Sequence, residues 1–218
     1  AHQLTSTSQI QDSRLGKQMM TNQNNTTQMM TELAVNRIQT SIQVKTKMLS
    51  NVQSIVSVAD VIVKAFHNNG KVLLFGNGGS AADAQHIAGE LVGTFYIRDR
   101  HGLPALSLAT DSSSLTAISN DSSYENVFAR QIEALGKAGD VSIGISTSGK
   151  SANVLRALAV SKEMKITTVS LTGSMNGKIG KITDYCINIP SHETPRIQEA
   201  HILVGHILCE IVEKKMFG

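Results

Sequence analysis

The sequence predicts one α/β domain built on a doubly wound, five-stranded parallel sheet. Five short runs of apolar and β-branched residues alternate along the chain with longer, helix-like stretches. Continuous apolar strands separated by helices are typical of a parallel sheet that is covered by helices on both faces. A length of 218 residues with a hydrophobic fraction of 41% suffices for one domain with a well-buried core.

The predicted elements follow one another in a regular order. The strands cover residues 71–75, 105–109, 141–145, 167–171 and 185–189. The predicted helices cover about 80–95, 111–135, 151–163, 174–181 and 196–215. Ahead of the first strand, apolar residues recur at three- and four-residue steps from Thr31 to His67. This periodicity predicts two N-terminal helices with a break near Ser50.

The first 28 residues differ in composition from the rest of the chain. They are rich in Gln, Thr, Ser and Asn and have little apolar periodicity. Such a composition is typical of a segment that does not fold alone. We therefore expect residues 1–28 to be a disordered extension or one added by cloning, and residues 29–218 to form a single domain that includes the N-terminal helices.

Composition and charge exclude several classes of partner. The net charge of +3 is small, and aromatic residues make up 4% of the chain with no Trp, so we expect no nucleic-acid partner. No apolar run approaches the roughly 18 residues of a membrane span, so we expect no membrane contact. Cys186 and Cys209 form no CxxC motif and suit a reducing compartment. The simplest prediction is a cytoplasmic protein.

Small hydroxylated residues and glycines follow the predicted strands. In a parallel sheet, ligands bind beyond the carboxyl ends of the strands. Loops of this kind bring backbone N–H groups and hydroxyls to helix N-termini, where the helix dipole favours an anion. The sequence therefore predicts a phosphate site in these loops, which are Gly76–Ser80, Thr110–Ser114, Ser146–Ser151 and Thr172–Ser174.

Residues 144–151 match the P-loop pattern G-x-x-x-x-G-K-[ST] letter for letter. A P-loop enzyme, however, has this loop after its first core strand and a magnesium-holding acid after a later one. Here the match follows the third strand, and neither the fourth nor the fifth strand ends in an acid. We therefore expect no nucleotide but a single phosphoryl group on a small molecule. The alternative is that these Ser and Thr residues merely cap helices.

Two predicted helices carry side chains suited to acid–base or metal chemistry. His86 and Glu90 are four residues apart and share a helix face. The last helix carries Gln198, His201 and His206. These groups could surround one cation such as Zn²⁺ or supply a base and an acid, while the His86–Glu90 pair could also be a solvent-exposed ion pair.

The spacing of Gln198 and His206 makes it difficult for both side chains of one helix to bind the same metal ion. They are eight residues apart, which is about 12 Å along a helix axis and about 80° around it. Either Gln198 lies at the frayed start of the helix, or some ligands come from another subunit. We favour a site that is completed at a subunit interface.

Four groups of residues, in this order, resemble the phosphoheptose isomerases of the sugar isomerase (SIS) family over about residues 32–218. The resemblance is carried by Asn77-Gly78-Gly79-Ser80 with Asp83, Gln85-His86 and Glu90; Ile118-Ser119-Asn120-Asp121; Gly139-Asp140 with Ser146-Thr147-Ser148-Gly149 and Ser151-Ala152-Asn153-Val154; and Arg196-Ile197-Gln198-Glu199 with His201 and His206.

The resemblance implies the SIS fold and an aldose–ketose isomerase. Its reaction would convert sedoheptulose 7-phosphate to D-glycero-D-manno-heptose 7-phosphate through an enediol(ate), the first step of heptose supply for lipopolysaccharide. It also implies a cytoplasmic homotetramer with active sites at subunit contacts and one zinc ion at each site.

The resemblance also assigns roles by position. Glu90 and His206 would be the catalytic base and acid. The metal ligands would be His86, Glu90, Gln198 and His206. The substrate would be bound by Asn77, Gly78, Gly79, Ser80, Glu90, Asn120, Asp121, Ser146, Thr147, Ser148, Ser151 and Gln198.

One residue departs from the family pattern, and one alternative function stays open. Lys150 stands where the family pattern has Asn, and that residue alone creates the P-loop match. The alternative is a non-catalytic SIS adaptor that binds the bacterial replication initiator. That relative resembles this chain less at the positions of Glu90 and His206.

Overall fold

Five parallel strands form one sheet in the order β2-β1-β3-β4-β5. In the computed structural model, which describes residues 4–175 and 177–218 and side chains from residue 25 onward, Val72 of β1 pairs with Val141 of β3, and Val141 pairs with Thr167 of β4. The predicted fold class and all five predicted strands are confirmed. The strands are β1 (Val72–Gly76), β2 (Ala105–Ser107), β3 (Val141–Ser146), β4 (Thr167–Thr172) and β5 (Tyr185–Asn188).

Helices cover both faces of the sheet because the strands are apolar on both sides. Side chains alternate between the faces along a strand. Val72 and Leu74 of β1 join one core cluster, and Leu73 and Phe75 join the other. The helices are α1 (Leu4–Met48), α2 (Val52–His67), α3 (Gly79–Val92), α4 (Ser112–Asp121), α5 (Ala129–Leu135), α6 (Ala152–Glu163), α7 (Ile179–Ile182) and α8 (Thr194–Phe217).

The predicted break near Ser50 is confirmed, but two other helix predictions are wrong. A 3₁₀ turn at Leu49–Asn51 separates α1 from α2. Residues 111–135 do not form one helix, because α4 ends at Asp121 and the Ser123 hydroxyl caps a new 3₁₀ turn by accepting the Glu125 N–H. The predicted helix over 174–181 is limited to the short α7.

The N-terminal part of the chain forms a compact unit of its own. The contacts divide the chain into Ala1–Gln43 and Val44–Gly218. Residues 4–28 lie within α1, where we expected disorder. Whether this segment is native, and whether 29–218 acts as one domain, stay predictions.

One helical stretch bears on the expectation that the protein does not contact a membrane. The segment Asn25–His67 is long and apolar enough to cross a membrane by length and composition alone. The core helix of a soluble protein passes the same test, and the α2 part of this stretch buries Ile55, Val58 and Ile62 in the core. The expectation of no membrane contact therefore stays a prediction.

The strand order creates a crevice at a defined place. The chain leaves β1 toward β2 on one side and returns to β3 on the other side of β1. In doubly wound sheets with this order, ligands bind at the β1/β3 switch point, beyond the carboxyl ends of the strands. The loops after β1 and β3 are therefore the ones that the topology places at a ligand site.

Candidate active site

The loop after β1 bends sharply into α3. Gly78 has φ +57, a left-handed conformation that favours glycine, and it caps α3. A Cβ on Gly79 would collide with the side-chain amide of Gln198 on α8. The lack of a side chain at Gly79 thus allows α8 to place Gln198 directly against the N-terminus of α3, where free N–H groups favour an anion.

Two asparagines join the loops after β1 and β3. Asn77 and Asn153 exchange two side-chain amide hydrogen bonds of 2.9 Å, and the Tyr124 hydroxyl donates to Asn77 Oδ1 at 3.2 Å. Asn153 is buried at the start of α6. Sequence reasoning singled out neither Asn153 nor Tyr124 as a site residue, because their partner lies more than 45 positions away. The pair fixes the width of the crevice.

The hydroxyl-rich loop after β3 folds as a tight cradle. The Ser146 and Ser151 hydroxyls lie 2.9 Å apart, and the Ser148 hydroxyl accepts the backbone N–H of Lys150 at 3.2 Å. Ser146 is buried at the end of β3, whereas the Lys150 side chain is exposed. A cavity of about 170 Å³ borders this loop. Its size is below the range of about 300 to 1,000 Å³ for drug-sized ligands and suits one phosphoryl group better than a nucleotide.

The cavity has a second polar wall, of which the sequence analysis predicted Ser174 but not His192. Thr147, Ser148 and Lys150 face Ser174 and His192 across it. The Ser174 hydroxyl lies 2.8 Å from His192 Nδ1. These two residues follow β4 and β5, so the topology brings them to the same edge of the sheet as the loop after β3.

Two histidines and one carboxylate converge between α3 and α8. His86 Nε2 lies 2.9 Å from His206 Nε2 and 3.2 Å from Glu90 Oε1. One ligand atom from each of the three residues lies within 4.8 Å of the others. The predicted His86–Glu90 pair is therefore formed, and α8 adds His206 to it.

The close packing of α3 against α8 brings the side chains of His86, Glu90 and His206 together. Gly205 directly precedes His206, and a Cβ there would lie 2.5 Å from the Ile87 side chain on α3. Ile87 in turn directly follows His86. Cys209, one turn beyond Gly205, is buried with its Sγ 3.9 Å from the Ile87 carbonyl, and burial raises the pKa of its thiol to about 12.

The donor set fits a divalent cation such as zinc. Zinc takes imidazole nitrogens and carboxylate oxygens, and catalytic zinc sites use three protein ligands and leave one position open. Two Nε2 atoms facing each other beside a carboxylate oxygen match that chemistry. Gln198 lies two turns before His206 on α8 and against Gly79, so its part in metal binding stays a prediction.

Asp83 lies one turn before His86 on α3 and is unusual. Its Oδ2 is buried without a hydrogen-bond partner. Burial raises the pKa of this carboxyl to about 6, and the nearby His86 charge opposes that rise. The sequence analysis included Asp83 in the resemblance but gave it no role. An α-helical spacing of three residues from His86 was the signal that placed it at this site.

Four predicted site residues lie in other surroundings. Asn120 and Asp121 hydrogen-bond to each other at the end of α4, and Asp121 lines a separate cavity with Arg130. Ser80 is buried at the start of α3. His201 is fully buried, and burial lowers its pKa to about 4, which favours the neutral imidazole at neutral pH.

Comparison with known proteins agrees with this geometry. The family model described as the SIS domain matches residues 35–173. The phosphoheptose isomerase of Aneurinibacillus thermoaerophilus is 52% identical over 86% of this chain and 96% of its own length. Phosphoheptose isomerase 2 of Campylobacter jejuni is 54% identical over 82% of this chain and 90% of its own.

A solved structure shows the same fold. The phosphoheptose isomerase of Neisseria gonorrhoeae superposes with a TM-score of 0.80 at 41% identity, covering 85% of this chain and 99% of that one. Fold and site thus define a SIS-domain enzyme of the isomerase class. The chain belongs to the phosphoheptose isomerase family.

Proposed function

We propose that this protein isomerises sedoheptulose 7-phosphate to D-glycero-D-manno-heptose 7-phosphate. The observation that carries the proposal is the convergence of His86, Glu90 and His206 beside a hydroxyl-rich anion cradle. Seven residues, or about 10 Å of helix axis, separate Gly79 at the start of α3 from His86. A seven-carbon sugar phosphate can extend across that distance, with its phosphate at the loops and its carbonyl end at the cluster.

The phosphate end supplies orientation. Ser146, Thr147, Ser148 and Ser151 offer hydroxyls, and the loop offers backbone N–H groups to the phosphate oxygens. Binding energy from a group remote from the reacting carbons can hold the substrate in a reactive position. The Asn77–Asn153 amide pair supports this by fixing the two loops to each other.

The reacting end needs a base and an acid. The Glu90 carboxylate takes a proton from C1 of the ketose, which gives an enediol(ate) across C1 and C2, and then returns a proton to C2 to give the aldose. His206 donates a proton to the oxygen on C2 as the carbonyl there becomes a hydroxyl, and the neutral imidazole that results takes the proton from O1 as the aldehyde forms, which restores both groups. A zinc ion held by His86, Glu90 and His206, with Gln198 as the predicted fourth ligand, would stabilise negative charge on the sugar oxygens.

Three further properties belong to the same proposal. We place the reaction in the cytoplasm, as the first step of heptose supply for lipopolysaccharide, and a chain whose two cysteines form no CxxC motif suits a reducing compartment. We propose a homotetramer with active sites at subunit interfaces. Exposed apolar side chains on α1 support assembly; they are Met29, Met30, Leu33, Val35, Ile38 and Ile42.

The adaptor alternative receives less support. The relatives described above are named phosphoheptose isomerases, and both Glu90 and His206 lie in the three-residue cluster. A non-catalytic adaptor could use the sugar-phosphate site, but it would not need a base and an acid placed next to that site. We therefore retain the enzyme as the proposal.

The test is direct observation of the aldose product. Purified protein is incubated with sedoheptulose 7-phosphate, and the product is followed by NMR, with the oligomeric state measured by light scattering. We expect Glu90→Gln and His206→Asn each to lose about 10²- to 10⁴-fold in kcat. Glu210→Gln, which removes a surface carboxylate of α8 paired with Lys214, is the matched control and should keep wild-type kcat. A wild-type protein with no turnover refutes the proposal.

A further inference from the structure

A buried ion pair lies behind the three-residue cluster. The side chains of Arg100 and Glu213 are 1% and 2% exposed, and Arg100 Nε donates to Glu213 Oε1 at 2.5 Å. Burying two charges is costly unless further hydrogen bonds satisfy their remaining donors and acceptors. The remaining partners of this pair therefore show what it holds in place.

Arg100 holds the end of helix α3. Its Nη2 donates to the Glu90 carbonyl at 2.8 Å, and its Nη1 donates to the Leu91 carbonyl at 3.0 Å. The last four carbonyls of a helix have no partner within the helix. Arg100 thus caps α3 at the very residue whose carboxylate belongs to the candidate active site.

Glu213 holds the segment that follows α3. Its two carboxylate oxygens accept the backbone N–H groups of Phe95, Tyr96 and Ile97 at 3.1, 2.7 and 3.0 Å. Burial by itself would raise the pKa of the Glu213 carboxyl, but the hydrogen bonds from Arg100 and from these N–H groups outweigh it and lower that pKa. The carboxyl is therefore ionised.

The same segment contacts the other catalytic candidate. The Phe95 ring lies 5.8 Å from the His206 ring, centroid to centroid. Glu213 lies seven residues, or two turns, beyond His206 on the same face of α8. One ion pair therefore fixes the backbone of Glu90 directly and the ring of His206 through Phe95.

We propose that Arg100 and Glu213 are positioning residues that set the geometry of the Glu90–His206 pair. The inference rests on the proposed function. A misplacement of about 1 Å in an active site costs about 10²-fold in rate. Loss of the partners that orient metal ligands typically costs 10- to 100-fold in metal affinity or activity.

A second ion pair, in which only the carboxylate is fully buried, supplies the control. Lys71 Nζ lies 2.6 Å from Asp140 Oδ2, and the Asp140 side chain is fully buried. Asp140 also accepts the backbone N–H groups of Lys71 and Lys137. Lys71 and Asp140 directly precede β1 and β3, so this pair joins the amino ends of those two strands.

The experiment compares variants of the two pairs. For Arg100→Met, Arg100→Lys, Glu213→Gln and Asp140→Asn in the full chain, thermal melts give Tm, chelator competition gives the zinc Kd, and steady-state assays below each Tm give kcat and KM. We expect Arg100→Met to weaken zinc binding and lower kcat by about 10- to 100-fold each, with KM near wild type. Arg100→Lys should recover part of both, because it keeps the charge but loses the planar fork.

The control separates positioning from stability. Asp140→Asn should lower Tm while the zinc Kd and kcat stay at wild-type values. If the Arg100 and Glu213 variants likewise lose Tm alone, the positioning role is refuted. If Arg100→Met does not fold, Phe95→Leu keeps the ion pair intact and should still lower kcat, and an unchanged kcat there refutes the proposal. A wild type that binds zinc without turnover refutes only the proposed function, because the zinc Kd still tests positioning.

Discussion

Adding a single methyl group at Gly205 should lower the activity strongly while the protein remains folded. An added Cβ would lie 2.5 Å from Ile87 Cγ1 and 2.6 Å from its Cδ1. Carbon atoms pack at about 3.5 to 4.0 Å, so the contact must open by about 1 Å, and because the β-branched Ile87 side chain is stiff in a helix, we expect α3 and α8 to move apart. Because His86 and His206 directly flank these two residues, the movement lengthens the 2.9 Å distance between their Nε2 atoms.

The expected effect on stability is small. Gly→Ala inside a helix stabilises it by about 0.5 to 1 kcal/mol. Overpacking a core costs about 1 to 3 kcal/mol. For Gly205→Ala, the two effects together lower the free energy of unfolding by between about zero and 2.5 kcal/mol. A displacement of about 1 Å in the active site, by contrast, costs about 10²-fold in rate. We therefore expect kcat to fall about 10²-fold in a protein that remains folded.

The assay pairs this variant with a rescue and a control. Ile87→Ala removes both atoms that the new methyl meets, so Gly205→Ala/Ile87→Ala should recover kcat relative to Gly205→Ala, and a double-mutant cycle measures the coupling. Gly89→Ala is the matched control, since a Cβ there meets nothing within 4 Å. It should raise Tm and keep kcat. Wild-type kcat in Gly205→Ala would refute the packing explanation for the cluster.

Three further predictions concern charge and the anion cradle. Because burial raises the pKa of Asp83 from 3.8 to about 6, the folded protein binds more protons than the unfolded chain between these values and loses stability as the pH rises through them. With chelator present, Asp83→Asn should therefore melt above wild type at pH 7 and not at pH 3, and an equal difference at both pH values contradicts this. Lys150→Asn should leave kcat intact and at most raise KM, because the Lys150 side chain is exposed; a collapse of kcat in steady-state assays would show that this lysine takes part in the reaction. Ser146→Ala/Ser151→Ala should raise KM and the inhibition constant of inorganic phosphate far more than it changes kcat, and unchanged values would place the phosphate elsewhere.

The strands and one half of the site could be predicted from local sequence. Runs such as Val72–Phe75 are apolar at every position, which only a sheet buried on both faces explains. His86 and Glu90 follow from helical spacing alone. The prediction that the hydroxyl-rich loop after β3 binds no nucleotide comes from the ends of the fourth and fifth strands, where no acid stands. Each of these signals spans only a few neighbouring residues.

The remaining features depend on tertiary structure. The approach of His206 to His86 needs the packing of Gly205 on Ile87, and the Arg100–Glu213 pair joins residues 113 positions apart. The break between α4 and α5 was missed because Asp121, Ser122 and Ser123 are tolerated in a helix but also cap turns. The sequence resemblance supplied the role of His206, whereas residue spacing did not.

The buried thiol of Cys209 has a practical consequence. A buried thiol whose pKa is raised to about 12 reacts very slowly at neutral pH while α8 stays against α3. Its alkylation rate therefore reports how often those two helices separate, and the partly exposed Cys186 serves as an internal reference in the same sample. Mass spectrometry of intact, labelled protein can thus time the opening of the helix pair that carries His86, Glu90 and His206, without any engineered label.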